Sequence, residues 1–262
     1  ANFGLGLRWK CPVVIPMTAT FLNANPKVLA VLDRQYPPET RYGYGKYHKY
    51  VHICAVRYSL KMFVNRFVYQ GAKGYSHAGV EDFIRRKHMT TFVDFVVWPV
   101  MERIYLKIRN EGEKFLILCT TVEFVDTLIE VLKKKLQAEG INLRIGALYG
   151  GVDEEEVKSS NDILVATLKK GGTGSDIPML RSMINTVAVK SITENEQNLG
   201  RLRELPDKSI DPIYAYLTWD DIPPQVEYFL PRMKHYSRLG KTFNVFRIGN
   251  QNSPEPRKDR AA

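Results

Sequence analysis

Apolar positions along this chain fall into two regimes, short continuous runs and longer stretches with helical spacing. Phe115 to Cys119 (FLILC), 143–148, 162–166, Ile184 to Val189 and 213–217 are runs of strand length with few polar interruptions. Such runs predict strands covered on both faces, the condition of a parallel sheet. Val122 to Leu136 repeats its apolar positions at helical spacing, and further helical or helix-starting segments separate the other runs. Strands and helices in alternation predict an α/β fold, a parallel sheet with flanking helices and right-handed crossovers. Val51 to Tyr58 (VHICAVRY) alternates and reads as another strand, the first of its domain. From Val80 to Arg109 the spacing is helical, with Phe92, Phe95, Val96, Val100 and Ile104 as a core-facing stripe and Pro99 as the point where the helix kinks or restarts. Arg232 to Arg247 is basic and reads as helical in its first part, and Gly249 to Ala262 as a polar, mobile tail.

The boundaries of these elements hold the candidate chemistry. Sites in parallel sheets gather at the carboxyl ends of strands, which places Thr120, Thr121, Thr167 and the turn Gly171-Gly172-Thr173-Gly174 along one edge. Thr120 and Thr121 precede a helix, where capping hydroxyls and free N–H groups make an anion site. The acidic run Asp153 to Glu156 reads as a helix start that repels phosphate. Residues 25–49 read as a connector, and Tyr42, Tyr44, Tyr47, Lys46 and Lys49 interleave rings with charges as base stacking requires, or pack as an ordered linker. Gln197, Gly200, Arg201 and Arg203 fall within about two helical turns, so two guanidinium groups converge on one region.

Composition narrows the partner. The 262 residues carry 38 Lys and Arg against 28 Asp and Glu, a net charge of +10 that suits a polyanion. Three scattered cysteines, Cys11, Cys54 and Cys119, make neither a disulfide framework nor a metal site and fit a reducing, intracellular compartment. No apolar run reaches membrane-spanning length. No G-x-x-x-x-G-K-[ST] loop occurs, so the backbone cradle that holds the β- and γ-phosphates of a nucleotide is absent from this sequence.

Four segments together carry a family resemblance. GGTGSDIP (171–178) resembles motif V of the superfamily 2 helicases and translocases, QNLGRLRE (197–204) their motif VI, and Thr18-Ala19-Thr20 after the apolar run Pro12 to Met17 their motif III. FLILCTT (115–121) is similar to motif IV. The second arginine, Arg203, stands one place early, with Glu204 in its usual slot, a G-R-L-R form similar to that of viral and phage helicases. The resemblance implies a RecA-like C-terminal helicase domain over 51–250, preceded in 1–50 by the end of a first RecA-like domain and a connector. A helical segment is placed at about 58–110 and a tail at 251–262.

That resemblance also implies roles. Arg201, Arg203 and Gln197 act on the phosphates of ATP, while Gly174, Asp176 and Gly200 shape the nucleotide side. Thr120, Thr121, Thr167, Lys169, Gly171 and Gly172 hold the nucleic-acid backbone, and Thr18 and Thr20 couple the two. ATP and Mg²⁺ are the expected cofactors, bound mainly by an upstream domain, and nucleic acid, DNA ahead of RNA, is the expected partner, in the cytoplasm or nucleoid of a host. Two other readings stay open. A non-catalytic nucleic-acid-binding module accounts for the charge but gives QNLGRLR no role. A dinucleotide-binding domain accounts for a glycine turn after a strand, although that turn belongs after the first strand with an acid about twenty residues on.

Overall fold

The computed structural model describes residues 26–35, 37, 49–62, 64–72, 74–168 and 176–248. Seven strands form one sheet. They are β1 (His52–Tyr58), β2 (Lys114–Cys119), β3 (Ile145–Leu148), β4 (Ile163–Thr167), β5 (Leu180–Asn185), β6 (Ile213–Trp219) and β7 (Thr242–Ile248). Their spatial order is β3-β4-β2-β5-β6-β1-β7, and every neighbouring pair is parallel. The helices are α1 (Pro26–Gln35), α2 (His77–Lys87), α3 (Val122–Ala138), α4 (Glu154–Ser160), α5 (Ile192–Leu199) and α6 (Pro223–Leu239). A helical run over 89–106 lies between α2 and β2.

The central strands are apolar throughout because both faces are covered. Side chains alternate across a strand, so Phe115, Ile117 and Cys119 of β2 join one core with Phe92, Phe124, Leu128 and Trp219. Leu116 and Leu118 join the other, with Leu199, Leu202, Phe229 and Tyr236. Thus α2, the 89–106 run and α3 cover one face, and α5 and α6 the other.

Three expectations change. The run Ile184 to Val189 belongs to β5 only through Asn185, and the strand begins earlier, at Leu180. Val187, Ala188 and Val189 stay buried after leaving the sheet, which explains their apolar character without a strand. The stripe over 80–109 loses Phe95, 54% exposed, while Phe92, Val96, Val100 and Ile104 are buried as expected. Val93–Val97 and Glu102–Leu106 are wound as π-helix, whose wider turn shifts the phase of the buried face, and Pro99 sits in the first turn of the intervening segment Trp98–Met101. Finally, the segment 242–248 is a strand. As an edge strand with exposed positions along its length, β7 carries no continuous apolar run to announce it.

Candidate functional site at the two ends of the sheet

At the carboxyl end, Thr120 directly follows β2 and Thr167 closes β4, with Cys119 and Thr167 opposite each other in register. Thr167 is only 6% exposed. Thr121 caps α3, its hydroxyl accepting from Phe124 N at 3.4 Å. The N–H groups expected to be free here are taken. Thr120 N donates to Glu81 Oε1 at 2.6 Å and Thr121 N to Glu81 Oε2 at 2.8 Å, joined by the Thr121 hydroxyl at 2.8 Å. A side chain of α2 therefore fills the anion seat at the start of α3. The sequence hides this contact, because Glu81 stands between the core residues Val80 and Ile84 in a stretch rich in basic residues. Its i,i+4 pairing with His77 was the available signal.

Glu81 is 1% exposed. Burial pushes its carboxyl up to about 7 against the downward pull of the Thr120 and Thr121 donors. His77 Nε2 lies 3.8 Å away, but burial and the nearby Arg232 hold this imidazole down at about 3, so the contact is not an ion pair at neutral pH. The His77 ring continues a polar chain. Its Nδ1 meets Tyr75 Oη at 2.7 Å, Tyr75 Oη accepts from Gln225 Nε2 at 2.8 Å, and Gln225 Oε1 accepts from Trp219 N at 2.9 Å. Arg232, buried, donates to Val187 O at 3.4 Å, Leu217 O at 3.3 Å and Thr218 Oγ1 at 3.1 Å. The carbonyls where β5 and β6 end are thus satisfied from inside.

The arginines stand at the opposite end of the sheet. Helix α5 starts beyond the carboxyl end of β5, runs back along the sheet and ends at Leu199. Arg201 and Arg203 therefore lie not on two helical turns with Gln197, as their spacing suggested, but in the turn and loop that follow the helix at the amino end. There Tyr50, two residues before β1, donates its hydroxyl to Leu202 O at 3.0 Å. Leu199 and Leu202 share a core with Val51, Ile177 and Leu180, all at or before strand starts. Gly200 closes α5, its N–H donating to Glu196 O at 2.8 Å, and Gln197 is part-buried on the same helix.

Charges gather at this end. Burial and then the charge of Arg203 hold the Arg201 guanidinium below its ordinary value, while Asp176 opposes them. Asp176 thus lies within electrostatic range of Arg201 although the two are 25 positions apart in sequence. Burial raises the Tyr50 hydroxyl, with Arg203 lowering it and Glu204 raising it. Glu204 itself pairs with Lys208 at 4.0 Å. Arg203 is exposed and Arg201 part-buried. Among the described residues no group of three or more His, Cys, Asp or Glu side chains could hold a metal ion. Thr18, Thr20, Lys169, Gly171, Gly172 and Gly174 lie outside the described residues, as do Tyr42, Tyr44, Lys46 and Tyr47.

No family model matches this sequence, and no curated protein matches it either. Solved structures do. T4 UvsW is similar over 77% of this chain and 42% of its own, at 14% identity and a TM-score of 0.52. Mss116p DEAD-box helicase domain 2 bound to an RNA duplex is similar over 77% of this chain and 64% of its own, at 15% identity and a TM-score of 0.44. The E. coli DEAD-box protein SrmB bound to regulator of ribonuclease activity A is similar over 79% of this chain and 98% of its own, at 13% identity and a TM-score of 0.45. The chain spans 64%, 43% and 42% of the length of the first three such structures. The likeness to UvsW shows the fold, a RecA-like parallel sheet with flanking helices. No helix among the described residues is long and apolar enough to cross a membrane.

Proposed function

We propose that this chain is the second RecA-like domain, preceded by the end of the first, of an ATP-dependent superfamily 2 helicase or translocase acting on nucleic acid, DNA ahead of RNA. One observation carries the reading. Asp176, from the segment similar to motif V, and Arg201 and Arg203, from the segment similar to motif VI, come together at one end of the sheet. The threonines similar in place to motifs IV and V line the other end. A site for a compact polyanion is thereby separated from an edge suited to an extended one.

In this reading Arg201 and Arg203 meet the phosphates of ATP held on a partner RecA-like domain, and Asp176 holds Arg201 in its pose. Charge grows on the transferring phosphoryl oxygens, and a planar guanidinium stabilises it where an ammonium does not. Mg²⁺ would come with the ATP, which neutralises charge between its phosphates. Thr167, Lys169 and the turn around 171–174 hold the backbone of one strand. Because Glu81 takes the N–H groups of Thr120 and Thr121 and the Thr121 hydroxyl as well, the track in this reading rests on the β4 side of the edge, on Thr167 and the residues after it. A dinucleotide-binding domain gains no support, since the acid after the glycine turn, Asp176, comes two residues later and not about twenty, and its charge acts on Arg201.

The test joins this chain to a RecA-like domain bearing a phosphate-binding loop. Arg201→Lys should lower nucleic-acid-stimulated ATP turnover by about 10³-fold or more, with ATP and nucleic-acid binding nearly unchanged. Near-normal turnover would leave Arg201 an ordinary surface arginine and remove the assignment. The chain alone should turn over no ATP, yet bind nucleic acid with an affinity that falls steeply as salt rises.

A further inference from the structure

Phe67 is 87% exposed. One exposed ring needs no explanation by itself, and this one is distinguished by how it is held. It belongs to an excursion over 59–76 that leaves β1 and returns to α2, and both feet of that excursion are fixed to the carboxyl end of the sheet. At the first foot, the Ser59 hydroxyl donates to both oxygens of Asp221 at 2.9 Å, and Leu60 N adds a bond at 3.2 Å. Asp221 is anchored in turn by Trp219 Nε1 at 2.7 Å. At the second foot, Tyr75 is held by Gln225 and His77.

Between the feet the chain is equally constrained. Asn65 caps the single helical turn Arg66–Tyr69, its side chain accepting from Phe67 N at 3.0 Å. That turn lies so close to α2 that a Cβ on Gly79 would sit 2.1 Å from Val68 O. The backbone that carries the ring is therefore held in place, with the exposed Arg66 next to it in the chain and the exposed Lys61 on the same excursion. Its mount, α2, is the helix whose Glu81 grips Thr120 and Thr121. Phe95, the other exposed ring of this region, differs: it lines a shallow cavity with Tyr58, Leu60 and Ile248 and has apolar neighbours. Phe67 offers a bare face next to Arg66 in the chain.

We propose that Phe67 is a stacking platform for one base of a single-stranded nucleic acid whose backbone follows the carboxyl end of the sheet, with Arg66 and Lys61 meeting the adjoining phosphates. The occupant is favoured by charge: a chain of +10 draws a polyanion, and an exposed ring on a held turn next to Arg66 fits a flat aromatic base followed by phosphate. The inference rests on the proposed function and adds a base contact to a track otherwise made of backbone contacts.

The experiment measures binding of the full chain to fluorescein-labelled 20-nucleotide oligo(dT) and oligo(U) by anisotropy, with a blunt DNA duplex as comparison. Phe67→Ala should weaken single-strand binding by roughly 5- to 100-fold, the loss of one stacked base, while Phe67→Trp restores most of it. Duplex affinity and the salt slope should stay as in the unsubstituted chain, because no charge is removed, whereas Arg66→Ala should reduce the slope by about 1. The two oligonucleotides read separately whether deoxyribose or ribose strands are preferred. Unchanged binding by Phe67→Ala, or an equal loss on duplex and single strand, overturns this inference alone. No binding by the unsubstituted chain to any of the three overturns the proposed function together with it. Since Phe67 packs against almost nothing, the alanine variant should melt with the unsubstituted protein.

Discussion

Glu81→Gln asks whether burial or hydrogen bonding governs the carboxylate at the head of α3. Three donors converge on Glu81, two backbone N–H groups and one hydroxyl, and each favours the ionised form. Burial disfavours it and prevails, raising the carboxyl from 4.5 to about 7. A carboxyl raised in this way contributes stability that is fully present below its unfolded value, near pH 4.5, and is lost as pH rises through about 7. At about 1.4 kcal/mol per tenfold in proton affinity, the loss between about pH 5 and pH 8 is about 2 to 3 kcal/mol. With Glu81 1% exposed, solvent screening does not reduce it.

Glutamine has nearly the same shape but does not titrate, and its NH2 group cannot accept from the donor that faces it, so the variant carries a penalty that is the same at every pH. The stability difference between the two proteins should therefore shift in favour of glutamine by about 2 kcal/mol between about pH 5 and pH 8. Nearby groups do not disturb the comparison. His77 is held down at about 3 and stays neutral throughout the window. Cys119, which feels Glu81, is raised well above its ordinary value and stays protonated. Urea unfolding of both proteins at the two pH values reads the difference directly. A difference that grows in favour of glutamate with rising pH would show that the donors hold the carboxylate ionised, and the weight given to burial would be wrong.

Gly79→Ala should cost about 1 to 3 kcal/mol in thermal or urea unfolding, because the new methyl meets the backbone oxygen of Val68 at 2.1 Å and no side-chain rotation relieves it. Arg232→Met should cost about 2 to 4 kcal/mol by the same assay, since the carbonyls of Val187 and Leu217 and the Thr218 hydroxyl lose a buried donor; a near-neutral result would mean that water replaces the guanidinium. Tyr50→Phe removes the bond to Leu202 O and should cost about 1 kcal/mol, with stability the readout that distinguishes it from a change in the exposed Arg203.

What the sequence made legible was the buried sheet. Runs such as 115–119 and 163–166 admit one environment, covered on both faces, and so announce themselves. β7 was illegible because an edge strand with exposed positions needs no such run, and Phe95 was misplaced because π-turns break the helical period on which the stripe was drawn. In the candidate site, local pairings such as Gly200 with Arg201 could be read, as could the capping role of Thr121. The grip of Glu81 on Thr120 could not, since it joins residues 39 apart through tertiary packing. Nor could the amino-end position of the arginines, which follows from α5 running back along the sheet.

That position bears on how the two ends communicate under the proposed function. A five-residue strand such as β4 separates the ends by roughly 17 Å, so a nucleotide at Arg201 and a strand at Thr167 would not touch. Helix α5 bridges much of the gap. Beside its carboxyl-end start, Asn195 donates to Val189 O at 3.0 Å and to Ser191 O at 2.8 Å. It is also bolted to the sheet, because Asn185 of β5 donates to Tyr214 Oη at 3.0 Å, Tyr214 meets Tyr236 Oη at 3.1 Å, and Tyr236 donates to Asn195 O at 3.0 Å. Asn185 is next to Thr186, whose hydroxyl donates to Leu118 O two residues before Thr120. A continuous buried polar chain thus joins the end of β2 to the helix that leads into the arginines. Every link is buried, and breaking one would strand a polar group in the core. The start of α5 is therefore fixed to the sheet, and Arg201 and Arg203 follow in the turn and loop just past its last residue, Leu199.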